Sequence, residues 1–218
     1  MAADGGGVDL GGRRSSRPAF RWRSGVRAGI HVLCLIPLAV LMAAGIAGDL
    51  GANPIEAVIR SLGDWALRLL VVALAVTPAR RLTGWAGLAS YRRMIGLWAF
   101  AYAALHFAAY VVLDQFFDWA AIGREIVKHK FITAGMLAFA LLLPLAATST
   151  SAMIRRLGGR RWQRLHRLVY VAGPLAAIHY IWMVKADALQ PMVYFVLILG
   201  LLCYRGVVKS RAGGWMRK

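Results

Sequence analysis

Six apolar stretches punctuate the chain, near residues 29–48, 65–79, 94–113, 131–148, 166–184 and 191–208; the short connections between them and the two ends of the chain together carry nearly all the charge. Each is close to the length, about 20 residues, that an α-helix needs to cross the hydrocarbon of a bilayer. The pattern predicts an all-α, polytopic membrane bundle of six transmembrane helices over residues 29–208. Residues 1–28, rich in Gly, Arg and Ser in their first part, read as a disordered basic cytoplasmic lead, and residues 209–218 as a basic cytoplasmic tail. Small residues around Gly45 to Gly48 resemble a processing site, but cleavage there would leave five spans and break the charge topology, so retention of the first segment is expected. No internal repeat is evident, and the run Gly5 to Gly7 is the sole low-complexity tract.

Composition agrees with this setting. With 60% hydrophobic and 17% charged residues in 218, there is too little polar surface to cover a soluble globule. The net charge of +18 gains meaning only from its distribution: 21 of the 27 Lys and Arg fall before residue 30, at Arg80, Arg81, Arg92 and Arg93, between Arg155 and Arg167, and after Cys203. The remaining six share the opposite side with seven of the nine acids. The positive-inside rule then puts both termini and the two basic loops in the cytoplasm, with the basic faces against anionic lipid headgroups. A nucleic-acid role is not expected, because no folded basic module with interleaved aromatics lies outside the membrane segments. Cys34 and Cys203 both sit in apolar segments, without the number or spacing of a disulfide framework, a zinc site or an iron–sulfur site.

The informative residues are histidines. His106, His166 and His179 lie within apolar segments, where an imidazole is costly without a partner, and heme iron is the leading partner. At 1.5 Å per residue, His106 lies about 20 Å beyond the basic pair Arg92 and Arg93, and His179 about 20 Å beyond His166 in the same direction. His106 and His179 are thus expected at matching depth on two parallel helices, as a bis-histidine heme site near the outer leaflet. A hydrogen bond from helix to helix is the plainer alternative.

His166 belongs to an inner level that lacks an obvious second ligand. On a straight helix it would stand about 140° around the axis from His179, unless Gly173 and Pro174 bend the segment. His31 is the candidate partner at this level, with an interfacial hydrogen bond as the alternative. Arg92 and Arg93 are candidates to bind heme propionates or a flavin phosphate. Arg68 pairs with Asp64 at i,i+4 or reaches an outer propionate. His129, in the polar outer loop DQFFDWAAIGREIVKHK, reads as a solvated residue; Trp98 and its aromatic neighbours on helix 3 read as packing or lipid-facing groups, and Trp162 as an interfacial anchor.

The runs YRRMIGLWAFAYAALHFAAYVVLD, KFITAGMLAFALLLPLAATST and RRLGGRRWQRLHRLVYVAGPLAAIHYIWMVK resemble the MsrQ family, the heme-binding membrane subunits of a periplasmic methionine-sulfoxide reductase system. That family is similar in turn to the transmembrane domain of ferric reductases, whose heme ligands would correspond to His106, His166 and His179. The likeness covers the six helices and is most specific in LHRLVY and IHYIWMVK. It implies a b-type cytochrome holding one or two hemes b, with FMN as a further cofactor. It implies electrons from the quinone pool or a cytosolic flavin reductase, passed to a periplasmic molybdenum-cofactor catalytic subunit that repairs oxidised proteins. The chain would be the electron-transfer subunit, with no catalytic residue of its own. It departs from the larger ferric reductases in lacking a second histidine on helix 3 and a cytosolic dinucleotide-binding domain. Two other classes stay open: a self-sufficient ferric or cupric reductase using the same outer heme, and a proton-coupled transporter using the histidines as a relay. The lack of acidic residues at the membrane centre counts against the transporter.

Overall fold

Every backbone polar group in hydrocarbon must be satisfied within its own segment, which makes long apolar runs helical. The computed structural model describes residues 18–184 and 188–215, and these form nine α-helices with no strand among the described residues. They are α1 (Pro18–Ala47), α2 (Pro54–Thr83), α3 (Ala89–Ala109), α4 (Trp119–Lys128), α5 (Lys130–Ala147), α6 (Ser151–Leu157), α7 (Gly159–Leu165), α8 (Val169–Met183) and α9 (Leu189–Trp215). A π-helical turn, Tyr110–Asp114, prolongs α3, and a 3-10 turn, His166–Leu168, leads into α8.

Five helices are long and apolar enough to cross a membrane, over Ser24–Ala47, Pro54–Thr83, Ala86–Asp114, Lys130–Ala147 and Leu189–Val207. The sixth expected span is a composite. Its α-helical part has only 15 residues, about 22 Å of rise, and the preceding 3-10 turn adds about 6 Å toward the roughly 30 Å of the hydrocarbon layer.

Several helices run past the apolar stretches that announced them. α2 begins at Pro54 rather than near 65: Asn53 accepts a hydrogen bond from the Glu56 N–H at 3.2 Å, and Pro54 occupies the first turn, where its missing N–H does no harm. Glu56, Arg60, Asp64 and Arg68 recur every four residues, so they form one polar stripe with Glu56–Arg60 and Asp64–Arg68 ion pairs. α2 closes at Gly84, in the left-handed conformation (φ 68°) that favours glycine. The expected lead and tail lie in part outside the described residues, at 1–17 and 216–218. Residues 18–28 and 209–215, expected outside the bundle, are helical, because Pro18 suits a first turn and nothing stronger than glycine interrupts either run.

Two of the three connections read as loops, the outer one and the second basic one, also contain α-helices. In the outer one Asp118 caps α4, accepting from the Ala121 N–H at 2.8 Å. In the basic one α6 and α7 meet at Gly158, φ 73°.

Packing follows pairs: α2 lies along α3, α5 along α8, and α9 covers α8 and α2. The contacts use small residues, among them Ala73, Ala99, Ala134, Ala138, Ala172 and Ala177, all buried, as expected where close backbone approach rather than the hydrophobic effect joins helices. One helix-interior proline is compensated by a side chain from a neighbouring helix. Pro78 leaves the Leu74 carbonyl without its helical donor, and buried Arg205 of α9 supplies one, its Nη2 lying 2.7 Å from Leu74 O and 3.2 Å from Ala73 O. Near Pro37 of α1, the fully buried Tyr102 donates its hydroxyl proton to Cys34 O at 2.7 Å.

Candidate functional site

A cavity of about 510 Å³ opens between α2, α3, α5 and α8, within the range that holds small molecules and cofactors. His106 of α3 and His179 of α8 face each other across it, ring centroids 6.1 Å apart and planes at 75°. The matching depth expected from the sequence allows this meeting, and the packing of the helices turns the two rings toward each other. His106 Nδ1 donates to Ile59 O at 2.8 Å, and His179 Nδ1 donates to Phe131 O at 2.7 Å. A carbonyl can only accept, so each Nδ1 carries the proton, and the lone pair of each neutral ring is left on Nε2. This is the tautomer and the outer hydrogen bond of a metal-ligating histidine.

The two halves of the site repeat nearly the same spacing: His106 follows its carbonyl partner by 47 residues and His179 by 48. Each ring lies on a glycine four residues after that carbonyl, Gly63 or Gly135. This correspondence was not evident in the sequence, because the residues between the matched positions differ.

The walls are apolar, with Phe107 stacked on Phe139 at 4.9 Å, and the rim is polar, carrying Glu56, Arg60, Asp64, Asp114 and Glu125. Tyr110 also lines the cavity, and its buried hydroxyl has no hydrogen-bond partner. Among the described residues no cluster of three His, Cys, Asp or Glu could hold a metal ion. The donor set is therefore two opposed imidazoles. Two rings bound through Nε2 to one metal ion at about 2 Å place their centroids about 6 Å apart, the separation seen here.

The remaining candidates lie elsewhere. His166 stacks on Trp162 at 4.0 Å, and its Nε2 meets Thr148 Oγ1 at 3.3 Å. Because that hydroxyl gives its own proton to Pro144 O at 2.6 Å, His166 Nε2 is the donor. Trp162, read as an interfacial anchor, thus packs inward, its Nε1 donating to Thr148 O at 2.9 Å. His31 accepts from Trp98 Nε1 at 2.9 Å through Nδ1, so its Nε2 also keeps a proton. Arg93 donates to Ser151 Oγ at 3.2 Å, while Arg92 lies within electrostatic reach of Tyr170 and Arg205.

Arg68 makes the i,i+4 pair expected of it. It lies 3.9 Å from Asp64, donates to the Tyr194 hydroxyl at 3.2 Å and covers the Trp65 ring, outside the cavity wall. Arg60, one turn earlier on the stripe, is the guanidinium on the rim. His129, expected to be solvated, is paired with Glu125 at 3.1 Å.

Residues 62–177 match the family model described as the ferric reductase like transmembrane component. A protein of Rhodospirillum rubrum named protein-methionine-sulfoxide reductase heme-binding subunit MsrQ is 56% identical over 176 residues, covering 81% of this chain and 84% of the relative. The chain belongs to the MsrQ family. Proteins of the same name from Caulobacter vibrioides and Azospira oryzae are 49% identical over 193 residues and 48% over 200, covering 88% and 91% of this chain and 92% and 85% of theirs. The family-model match contains His106, His166 and both glycines of the site and stops just before His179, which the fold brings back to the cavity.

Proposed function

We propose that this chain is a membrane cytochrome subunit in which His106 and His179 hold a b-type heme between α3 and α8. The observation that carries this reading is the opposed pair of imidazoles, each with Nδ1 held by a backbone carbonyl and Nε2 left free across one cavity. Bound heme supplies a one-electron carrier; the chain binds it, orients it and limits its contact with water. The Tyr110 hydroxyl and Arg60 on the rim are suited to its propionates.

The distribution of charge supports an outer position for this site. The rim carries four of the nine acids and the opposite end most of the Arg, so the cavity opens away from the cytoplasm, with both termini on the cytoplasmic face of the inner membrane. In this reading Arg92 and Arg93 mark the cytoplasmic entry, where a phosphate of FMN or of a reductase's flavin, or an inner heme's propionates, would meet guanidinium groups. The relatives' names pair a heme-binding subunit with a methionine-sulfoxide reductase; in this reading electrons from quinol or flavin would leave the outer heme for such a catalytic subunit, periplasmic and molybdenum-containing as the family resemblance implies. His166 and His31 each hold a proton on Nε2, so an inner heme at that level would have to displace Thr148 or Trp98.

The test is the reduced-minus-oxidised spectrum of detergent-purified protein, with heme counted per chain. Low-spin b-type bands are expected, lost in His106→Ala and in His179→Ala, while His166→Ala keeps the outer heme. Undiminished heme in both of the first two variants would sink the site. Unassisted reduction of metal chelates by the purified chain would favour a self-sufficient reductase.

A further inference from the structure

Two glycines stand where the site can least tolerate a side chain. A Cβ on Gly135 would fall 2.7 Å from His179 Nδ1 and 2.9 Å from its Cε1, closer than real Cβ atoms approach. A Cβ on Gly63 would fall 3.0 Å from His106 Nδ1 and 3.1 Å from its Cε1. In both cases the imidazole edge fills the space that a side chain would occupy.

The same glycines expose the hydrogen-bond acceptors. In an α-helix the carbonyl of residue i accepts from the N–H of i+4, and the side chain of i+4 lies beside that oxygen. Ile59 O and Phe131 O are each four residues before one of these glycines, so the second lone pair of each is open to a ring from the neighbouring helix. One residue type thus does two things in each seat. It makes room for the ring and uncovers the oxygen that holds the Nδ1 proton.

We propose that Gly63 and Gly135 are positioning residues: matched seats on α2 and α5 that set the tautomer and rotation of His106 and His179, and through them the ligand field of the group bound between the rings. This rests on the heme reading above. The seats hold the ring planes 75° apart, and crossed imidazole planes produce a strongly anisotropic low-spin ferric signal. The Nδ1 hydrogen bonds raise the basicity of both ligands, which favours the oxidised metal.

The test uses the full chain in detergent, as wild type, Gly63→Ala, Gly135→Ala and Gly200→Ala, with ferric EPR spectra, midpoint potentials and heme per chain. Gly200 on α9 has nothing within 4 Å of an added Cβ and serves as the control. Gly63→Ala is expected to shift the g-values and the midpoint at full heme loading. Gly135→Ala, with the closer contact, should shift them further and weaken heme retention roughly 10-fold or more, as loss of an outer-shell contact does. Wild-type g-values and midpoints in both variants would overturn the proposal. If Gly135→Ala does not accumulate, Gly63→Ala decides alone, since its contact needs only a few tenths of an ångström of movement: a shift beyond that of Gly200→Ala supports the seats, and no shift removes them. Full heme retention in His106→Ala and His179→Ala would instead bring down the heme site itself, and the seats with it.

Discussion

At the scale of single residues, the polar groups buried in this bundle divide into those that hold the fold together and those left for a ligand. Arg205 belongs to the first kind. Its Nη2 satisfies the carbonyl that Pro78 frees, so Arg205→Leu should leave that oxygen buried without a donor and cost about 1–3 kcal/mol. A lower thermal midpoint, read by loss of helical signal in detergent, checks this; an unchanged midpoint would show that the carbonyl finds another donor. Tyr110 belongs to the second kind. Its hydroxyl is buried and has no protein partner, so Tyr110→Phe should leave the heme-free protein no less stable while loosening bound heme. Equal heme retention by the variant and the wild type would separate this hydroxyl from the cofactor. The histidines fall on both sides of the same line. His106 and His179 use Nδ1 on carbonyls and keep Nε2 free, whereas His31 and His166 keep protons on Nε2. His166→Ala should therefore be the mildest of the three membrane-histidine variants for the outer heme.

At the scale of helices, what hydropathy conceals is polar residues with a period. Glu56, Arg60, Asp64 and Arg68 lower the mean hydropathy of the first half of α2, so the apolar stretch alone starts near residue 65, and Gly63 falls outside it. Yet all four lie on one stripe, three of them on the cavity rim, and the helix runs unbroken from Pro54. The outer connection concealed α4 in the same way, since ten residues are too few for a membrane period to emerge. The Asp118 cap is what starts α4, and Asp118→Ala should cost about 1 kcal/mol locally. Hydrogen exchange across residues 119–128 should then speed several-fold while the long helices are unaffected; unchanged exchange would mean that packing on α5, not the cap, holds α4. By contrast, the depths of His106 and His179 were legible from the start, because rise per residue from a basic collar is a property of the helix itself.

At the scale of the whole molecule, orientation is a charge question. A reporter fused after Lys218 should behave as cytoplasmic: a fluorescent protein that folds inside the cell should glow there, and a phosphatase that needs export should stay silent. The reverse pair of results would invert the site relative to its proposed acceptor. The chain's apolar pattern, its basic loops and the spacing of its histidines determine a helical membrane protein with two imidazoles at one depth, since these follow from hydrocarbon thickness, charge and helical rise, all local quantities. Which faces those helices turn to one another is not local. Ile59 O with Gly63, and Phe131 O with Gly135, meet their rings 47 and 48 residues away, and Arg60 rather than Arg68 reaches the cavity rim. Only tertiary packing decides these contacts, because they depend on the rotation of each helix about its axis, which small-residue contacts on neighbouring helices set and no single segment encodes.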